Sequence, residues 1–146
     1  MLKLDISIVI NRPVEEVFAF LSNPENGPKW GSGSKEVKMI TQGPIGVGTR
    51  YRTVREALGR RIESETEITE FEPNRKIASK SISGPFPMES AVTFERVEGG
   101  TRVTGTLFGE PGGFFKLAEP LLVSMLKRQY QADLANLKDL MESHAF

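Results

Sequence analysis

The chain has 146 residues, with 19 Lys plus Arg against 19 Asp plus Glu, one His and no Cys, so its formal charge is zero at pH 7. That balance removes the electrostatic argument for a nucleic-acid partner or an anionic membrane surface, and the lack of cysteine excludes disulfides and thiol catalysis and fits a cytoplasmic protein. The length suits one domain over 1–146 with a real core; the start Met1-Leu2-Lys3-Leu4-Asp5 has no apolar signal segment behind a basic end, and no run approaches the about 20 apolar residues of a membrane span.

Leu4, Ile6, Ile8 and Ile10 alternate with Asp5 and Ser7, which predicts a strand with one buried face. Asn11-Arg12-Pro13 ends it. Pro13 suits a first helical position, Glu15 and Glu16 then fall where the helix dipole favours acids, and Val14, Val17, Phe18 and Leu21 recur at i, i+3, i+4, i+7. The result is a short amphipathic helix, stopped by Ser22-Asn23-Pro24, which also caps a second short turn leading to Trp30. Strands are expected over 37–41, 49–57, 60–71, 76–82, 88–97 and 101–108. They are separated by Gly43-Pro44-Ile45-Gly46-Val47-Gly48, Gly59, the turn Glu72-Pro73-Asn74-Arg75, Gly84-Pro85 and a tight Gly99-Gly100 hairpin.

After Glu110-Pro111-Gly112-Gly113 the period becomes helical. Phe114, Ala118, Leu121, Leu122, Met125, Gln129, Ala132, Leu137 and Leu140 trace a stripe. It spans about 28 residues, or about 42 Å at about 1.5 Å per residue. Pro120 lies inside, so the helix bends there or two helices meet there. Strands joined by short turns favour antiparallel pairing, and such a sheet keeps one wet face while the long helix covers the other.

Charge marks the wet face. Arg61, Glu63, Glu65 and Glu67 point outward, which turns Ile62, Ser64, Thr66 and Ile68 inward. Lys76 and Lys80 likewise turn Ile77, Ser79 and Ser81 inward, and Glu89 and Glu95 turn Ser90, Val92 and Phe94 inward. An unpaired buried hydroxyl costs about 1–3 kcal/mol, so this face makes a poor dry core. The hydroxyls either line a cavity, satisfied by a ligand or water, or bond across strands, or a bulge reverses their parity. Arg55 shares a face with Tyr51 and Thr53. It can meet an anionic ligand group, but the simpler reading is a rim position reaching water or an internal pair with Asp133. On the helix, Leu122, Met125, Gln129 and Tyr130 lie on or beside the covered stripe, with Asp133 one turn on. Trp30, Met88, Met125, Phe18, Phe86 and Phe115 are candidate apolar walls, although each taken singly suits a plain core position.

No metal site or cofactor is expected. His144 is the only histidine and lies near the chain's last residue, no Ser sits in an elbow motif, and Gly43 to Gly48 lacks the lysine and following helix of a phosphate loop.

Strand one running into Pro13-Val14-Glu15-Glu16-Val17-Phe18 resembles the opening of the START-like superfamily, also called Bet v 1-like or SRPBCC, with Trp30 where that superfamily often has tryptophan after its short helices. Ile68-Thr69-Glu70-Phe71-Glu72-Pro73-Asn74-Arg75-Lys76-Ile77 is similar to its strand–turn–strand signature, and Gly99-Gly100-Thr101-Arg102-Val103-Thr104 to its last hairpin. The likeness spans nearly the whole chain and is greatest to the polyketide cyclase/dehydrase-like branch. It implies an α+β helix-grip fold: a curved antiparallel sheet of about seven strands around the long helix, two short helices after strand one, and a cavity for a small apolar or amphipathic molecule. In that fold the segment before the long helix, here carrying Phe114 and Phe115, borders the cavity mouth. The simpler reading of Gly112-Gly113 is a flexible lead into the helix.

Fold alone does not choose the activity. The leading expectation is a binding or carrier protein with cavity residues Trp30, Tyr51, Arg55, Ser64, Thr66, Ser79, Ser81, Met88, Ser90, Phe115, Leu122, Met125, Gln129 and Tyr130. A cyclase/dehydratase-like enzyme acting on a poly-carbonyl substrate is the alternative, and a protein-partner adaptor, recognisable by an exposed apolar patch, is the third. Homodimerisation is left open.

Overall fold

The computed structural model describes residues 2–31, 34–57, 59–84 and 87–143, without the side chains of Ser34, Ala57, Phe114 and Phe115. Strand β1 (Leu2–Ile10) is followed by helix α1 (Val14–Leu21), a 3-10 turn (Pro24–Asn26) and the single turn α2 (Gly27–Trp30). Six strands follow: β2 (Ser34–Met39), β3 (Arg50–Ala57), β4 (Arg60–Glu72), β5 (Lys76–Ser83), β6 (Met88–Val97) and β7 (Gly100–Gly109). Helices α3 (Phe114–Leu117) and α4 (Glu119–Glu142) complete the described chain. The seven strands form one antiparallel sheet in the order β1-β7-β6-β5-β4-β3-β2, and α4 packs against it. The strand and turn pattern predicts this antiparallel sheet covered by the long helix, and the whole is the α+β helix grip that the resemblance implies.

Local chemistry explains the corners. Pro13 is extended and serves as the cap rather than the first helical residue, with Glu15 and Glu16 in the first turn. Asn23 caps the 3-10 turn by accepting from the Glu25 amide at 3.1 Å. Asn74 takes a left-handed φ of 63° in the β4–β5 turn, a conformation Asn tolerates better than most residues. The last hairpin is tight, but its loop is Glu98-Gly99, because Val97 pairs with Gly100. Gly100 belongs to the strand for a steric reason: a methyl there would run into the Ile10 carbonyl oxygen. Strand β2 also starts earlier and ends earlier than the expected 37–41.

The long helical stripe divides at Ala118, and Pro120 sits in the first turn of α4, where its missing amide costs no helical bond. Part of the expected stripe holds, in Leu122 and Leu137. Leu122, Leu134, Leu137 and Met141 are buried, whereas Leu121 is 58% exposed and Ala132 is exposed. The expected stripe named Leu121 and Ala132 and passed over Leu134 and Met141. Counting continuously from Phe114 ran the pattern across that junction.

The packed core occupies one end of the grip. Ile10, Val14, Val17, Phe18, Phe20, Phe94, Val103, Leu134, Leu137 and Met141 form a contiguous buried cluster, with Phe18 edge-on to both Phe71 and Phe94. Polar links pin the same end. The Lys138 ammonium donates to the Val9 carbonyl at 2.8 Å and to Glu142 Oε2 at 2.6 Å, and that carboxylate accepts the Asn11 amide at 2.8 Å. Thr101, fully buried, donates to the Arg12 carbonyl at 2.8 Å. Among the described residues the close backbone approaches of α4 are chiefly to β1, with a few to α2 and α3. The helix is therefore clamped along one sheet edge by its second half.

Candidate functional site

Away from that cluster, the inner face of the sheet changes character. The register places Ser79 opposite both Ile68 and Ser90, with Ser90 opposite Leu107. The next row aligns Ser81, Thr66, Tyr51 and Met39. Beyond it lie Ser64, Thr53 and Val37, and then Ile62 opposite Arg55. The inward parity read from the outer charges therefore holds on β4, β5 and β6. Bulges fall at Thr69, where β4 carries an extra residue between Ile68 and Glu70, and at Ile82, where β5 carries one opposite Glu65 and Thr66. Both lie outside the stretch in which the hydroxyls align, so neither reverses it.

The outer face confirms the parity from the other side. Arg50 pairs with Glu67 at 2.9 Å, Arg52 with Glu65 at 3.5 Å and Lys35 with Glu56 at 3.0 Å. Each of the two arginines sits directly across from its glutamate in the β3–β4 ladder.

Cross-strand bonding and accessibility both occur among the inner hydroxyls. The Oγ atoms of Ser79 and Ser90 are 2.8 Å apart, and Ser81 Oγ accepts the Met88 amide at 2.9 Å. Ser79 and Thr53 are buried, at 9% and 5% exposure. Ser64, Thr66, Ser81, Ser90, Tyr51 and Met88 are half-buried although they lie on the inner face, and so are Met125, Gln129 and Tyr130 on α4. Ser64, Thr66, Ser79, Ser81 and Ser90 stand outside the packed apolar cluster. A face that points inward yet keeps accessible area has space against it.

Two tyrosines bound this region, and they are the only tyrosines in the chain. Burial pushes the Tyr51 hydroxyl above its usual pKa, while the Ser79 hydroxyl and the Arg55 guanidinium pull partly the other way. Burial also raises that of Tyr130; Arg55 opposes this and Asp133 adds to it. Arg55 on β3 thus acts on tyrosines from both layers, the sheet and α4. It is an exposed residue and has no part in the outer ladder of salt bridges. Gly105 explains how Tyr130 reaches the sheet: even a methyl group at that position would collide with the Tyr130 hydroxyl.

The expected site residues divide accordingly. Tyr51, Arg55, Ser64, Thr66, Ser79, Ser81, Met88 and Ser90 share the inner sheet face, and Leu122, Met125, Gln129 and Tyr130 lie on the helix above. Leu122 is 2% exposed. Trp30 packs on the apolar cluster, and its carbonyl accepts the Asn136 side-chain amide at 3.0 Å. Phe86 and His144, and the side chain of Phe115, lie outside the described residues. Thr53, Val37 and Met39 were not singled out as site residues, yet they share the same rows. For Val37 and Met39 the signal was present in Glu36 and Lys38, which alternate with them along β2. Leu117, at 89% exposure, and Leu121 stand one turn apart at the α3–α4 junction as an exposed apolar pair.

Residues 1–142 match the family model described as polyketide cyclase/dehydrase and lipid transport. The chain belongs to this family. No curated protein matches it by sequence. Among solved structures, TTHA0849 from Thermus thermophilus is similar at a TM-score of 0.85 and 21% identity, covering 99% of each chain. The Zhui aromatase/cyclase from a Streptomyces species is similar at 0.78 and 14%, covering 99% of this chain and 95% of its own. A START superfamily protein from Mycobacterium smegmatis is similar at 0.72 and 16%, covering 97% and 95%. At these identities the likeness is one of fold. The family is the SRPBCC or START-like group whose motifs the sequence carries, and its description spans both cyclisation and lipid transport. Among the described residues no helix is long and apolar enough to cross a membrane.

Proposed function

We infer that the chain binds a small, mostly apolar molecule in a hollow between β3–β6 and the first half of α4. One observation carries this reading: the inner-face hydroxyls and the Met88 and Met125 side chains retain accessible area while the other end of the same interface is packed. Apolar side chains would supply affinity by losing water contact. Ser90, Thr66 and Tyr51 would orient a polar group of the ligand. Binding is also the step common to both activities in the family description.

The cyclase/dehydratase alternative requires a group that moves a proton near neutral pH. The tyrosines beside the hollow have hydroxyl pKa values raised by burial, which makes them poor general bases there.

The test is a fluorescence titration with N-phenyl-1-naphthylamine, a neutral apolar probe. Saturable one-to-one binding is expected. Ser90→Leu and Met125→Trp, which fill the hollow, should each weaken it by about tenfold or more while the protein stays folded by circular dichroism; Ser90→Leu, which also breaks the bond to buried Ser79, should lower the melting temperature modestly. Absence of saturable binding to the unaltered protein would overturn the reading.

A further inference from the structure

The last helical segment divides by charge as well as by packing. From Lys116 to Gln131 it carries three cations, Lys116, Lys127 and Arg128, and one acid, Glu119; from Ala132 to Ser143 it carries three acids, Asp133, Asp139 and Glu142, and one cation, Lys138. The zero charge of the whole chain averages over this division. Lys138 and Glu142 pair with each other, whereas Lys116, Lys127 and Arg128 are exposed and make no ion pair among the described residues. The basic half also holds the exposed apolar pair, Leu117 at 89% and Leu121 at 58%. Leu121 and Arg128 are two helical turns apart on one line along α4, about 10 Å at about 1.5 Å per residue, and Ser124 between them is exposed too. This corner stands at the end of the sheet away from the packed cluster. Met88 pairs with Gly109, and the Glu110 amide donates to the Pro87 carbonyl at 3.3 Å, so the lead into α3 leaves the sheet beside Met88. Glu110 and the half-buried Glu119 are the acids nearest in sequence.

Two adjacent leucines fall well short of the about 800 Å² per partner that a standard protein interface buries. A lipid bilayer takes a smaller footprint. A few apolar side chains enter the acyl boundary, and flanking lysines and arginines meet anionic headgroups. The order of residues here matches that need: Lys116 precedes the two leucines, and Lys127 and Arg128 follow them on exposed positions. We propose that the α3–α4 corner docks on an anionic lipid bilayer, with Leu117 and Leu121 in its apolar layer and Lys116, Lys127 and Arg128 against its headgroups. Docking does not depend on the hollow. Where the hollow is filled, a molecule leaving it beside Met88 emerges next to the docked corner and enters lipid rather than water.

Co-sedimentation with sucrose-loaded vesicles tests this, using phosphatidylcholine alone and an equal mixture of phosphatidylcholine and phosphatidylglycerol. The unaltered protein should bind the mixture at low ionic strength, bind phosphatidylcholine about tenfold or more weakly, and come off the mixture as salt rises. Leu117→Ser combined with Leu121→Ser should weaken binding to the mixture by about tenfold or more. Lys127→Gln combined with Arg128→Gln should weaken it by about 10- to 30-fold. All four positions are exposed, so circular dichroism and the melting temperature should stay as in the unaltered protein. No binding to the mixture, equal binding to the two kinds of vesicle, or undiminished binding by the leucine variant would each overturn the proposal. So would a dimer in sedimentation velocity that the leucine variant dissociates, because a second copy would then cover the patch.

Discussion

Truncating one side chain at each end of α4 should expose the asymmetry of the grip. Leu137 is fully buried within the apolar cluster, whereas Met125, about three turns earlier, is half-buried and stands outside that cluster. Leu137→Ala forfeits the transfer free energy of the lost methyl and methylene groups, about 2 kcal/mol, and leaves a void that α1, β1 and β7 cannot close while Lys138 and Glu142 pin the helix. The void adds about 1–2 kcal/mol, for a total of about 3–4 kcal/mol. At about 3–4 °C per kcal/mol for a chain of this size, the melting temperature should fall by about 10 °C. Met125→Ala removes atoms that already touch open space and should cost less than about 1 kcal/mol. Urea titrations give both values, and an unchanged slope verifies that the same surface is exposed on unfolding. A Leu137→Ala cost below about 1 kcal/mol, or equal costs at the two positions, would refute the division into a packed end and an open end.

Three further outcomes follow from the same geometry. Tyrosinate absorbance should show both tyrosines ionising above the ordinary 10.0; because the folded values are raised, their contribution to stability is complete below that pH and is lost as pH rises through the folded values. A tyrosine titrating at its ordinary value would contradict this. Gly105→Ala should destabilise by about 1–3 kcal/mol by displacing the Tyr130 ring, and the cost measured by denaturation should shrink in a Tyr130→Ala background. The Glu142 carboxyl is held below the usual 4.5 by Lys138 and the Asn11 amide, so its contribution is present above that pH and is lost as pH falls through the lowered value; Glu142→Gln should flatten the acid side of the stability profile.

Much of this was legible in the chain. Strand parity was the strongest signal, because Lys76 and Lys80 or Glu89 and Glu95 cannot face a core, and the opposed Ser79–Ser90 pair follows directly. Turn residues carry their own mechanism, so Asn74 and the Gly99 hairpin could be placed to within a residue. The buried face of α4 was only partly legible. Leu122 and Leu137 belong to it as expected, but Leu121 is exposed and Leu134 and Met141 were passed over, because Pro120 announced a discontinuity without saying where α4 would begin. Tyr130 over Gly105 was hidden for another reason: it is a contact between layers, set by how close the helix comes, and no spacing within either segment encodes it. Trp30, a candidate wall that taken singly suits a plain core position, packs against the cluster.

The most direct measurement is a crystal structure of the protein equilibrated with N-phenyl-1-naphthylamine. The account predicts the naphthyl ring between Met125 and the Ser79–Ser90 pair, with Leu137 and its neighbours undisturbed. Side chains occupying that space, with the probe only on the outer surface, would contradict it.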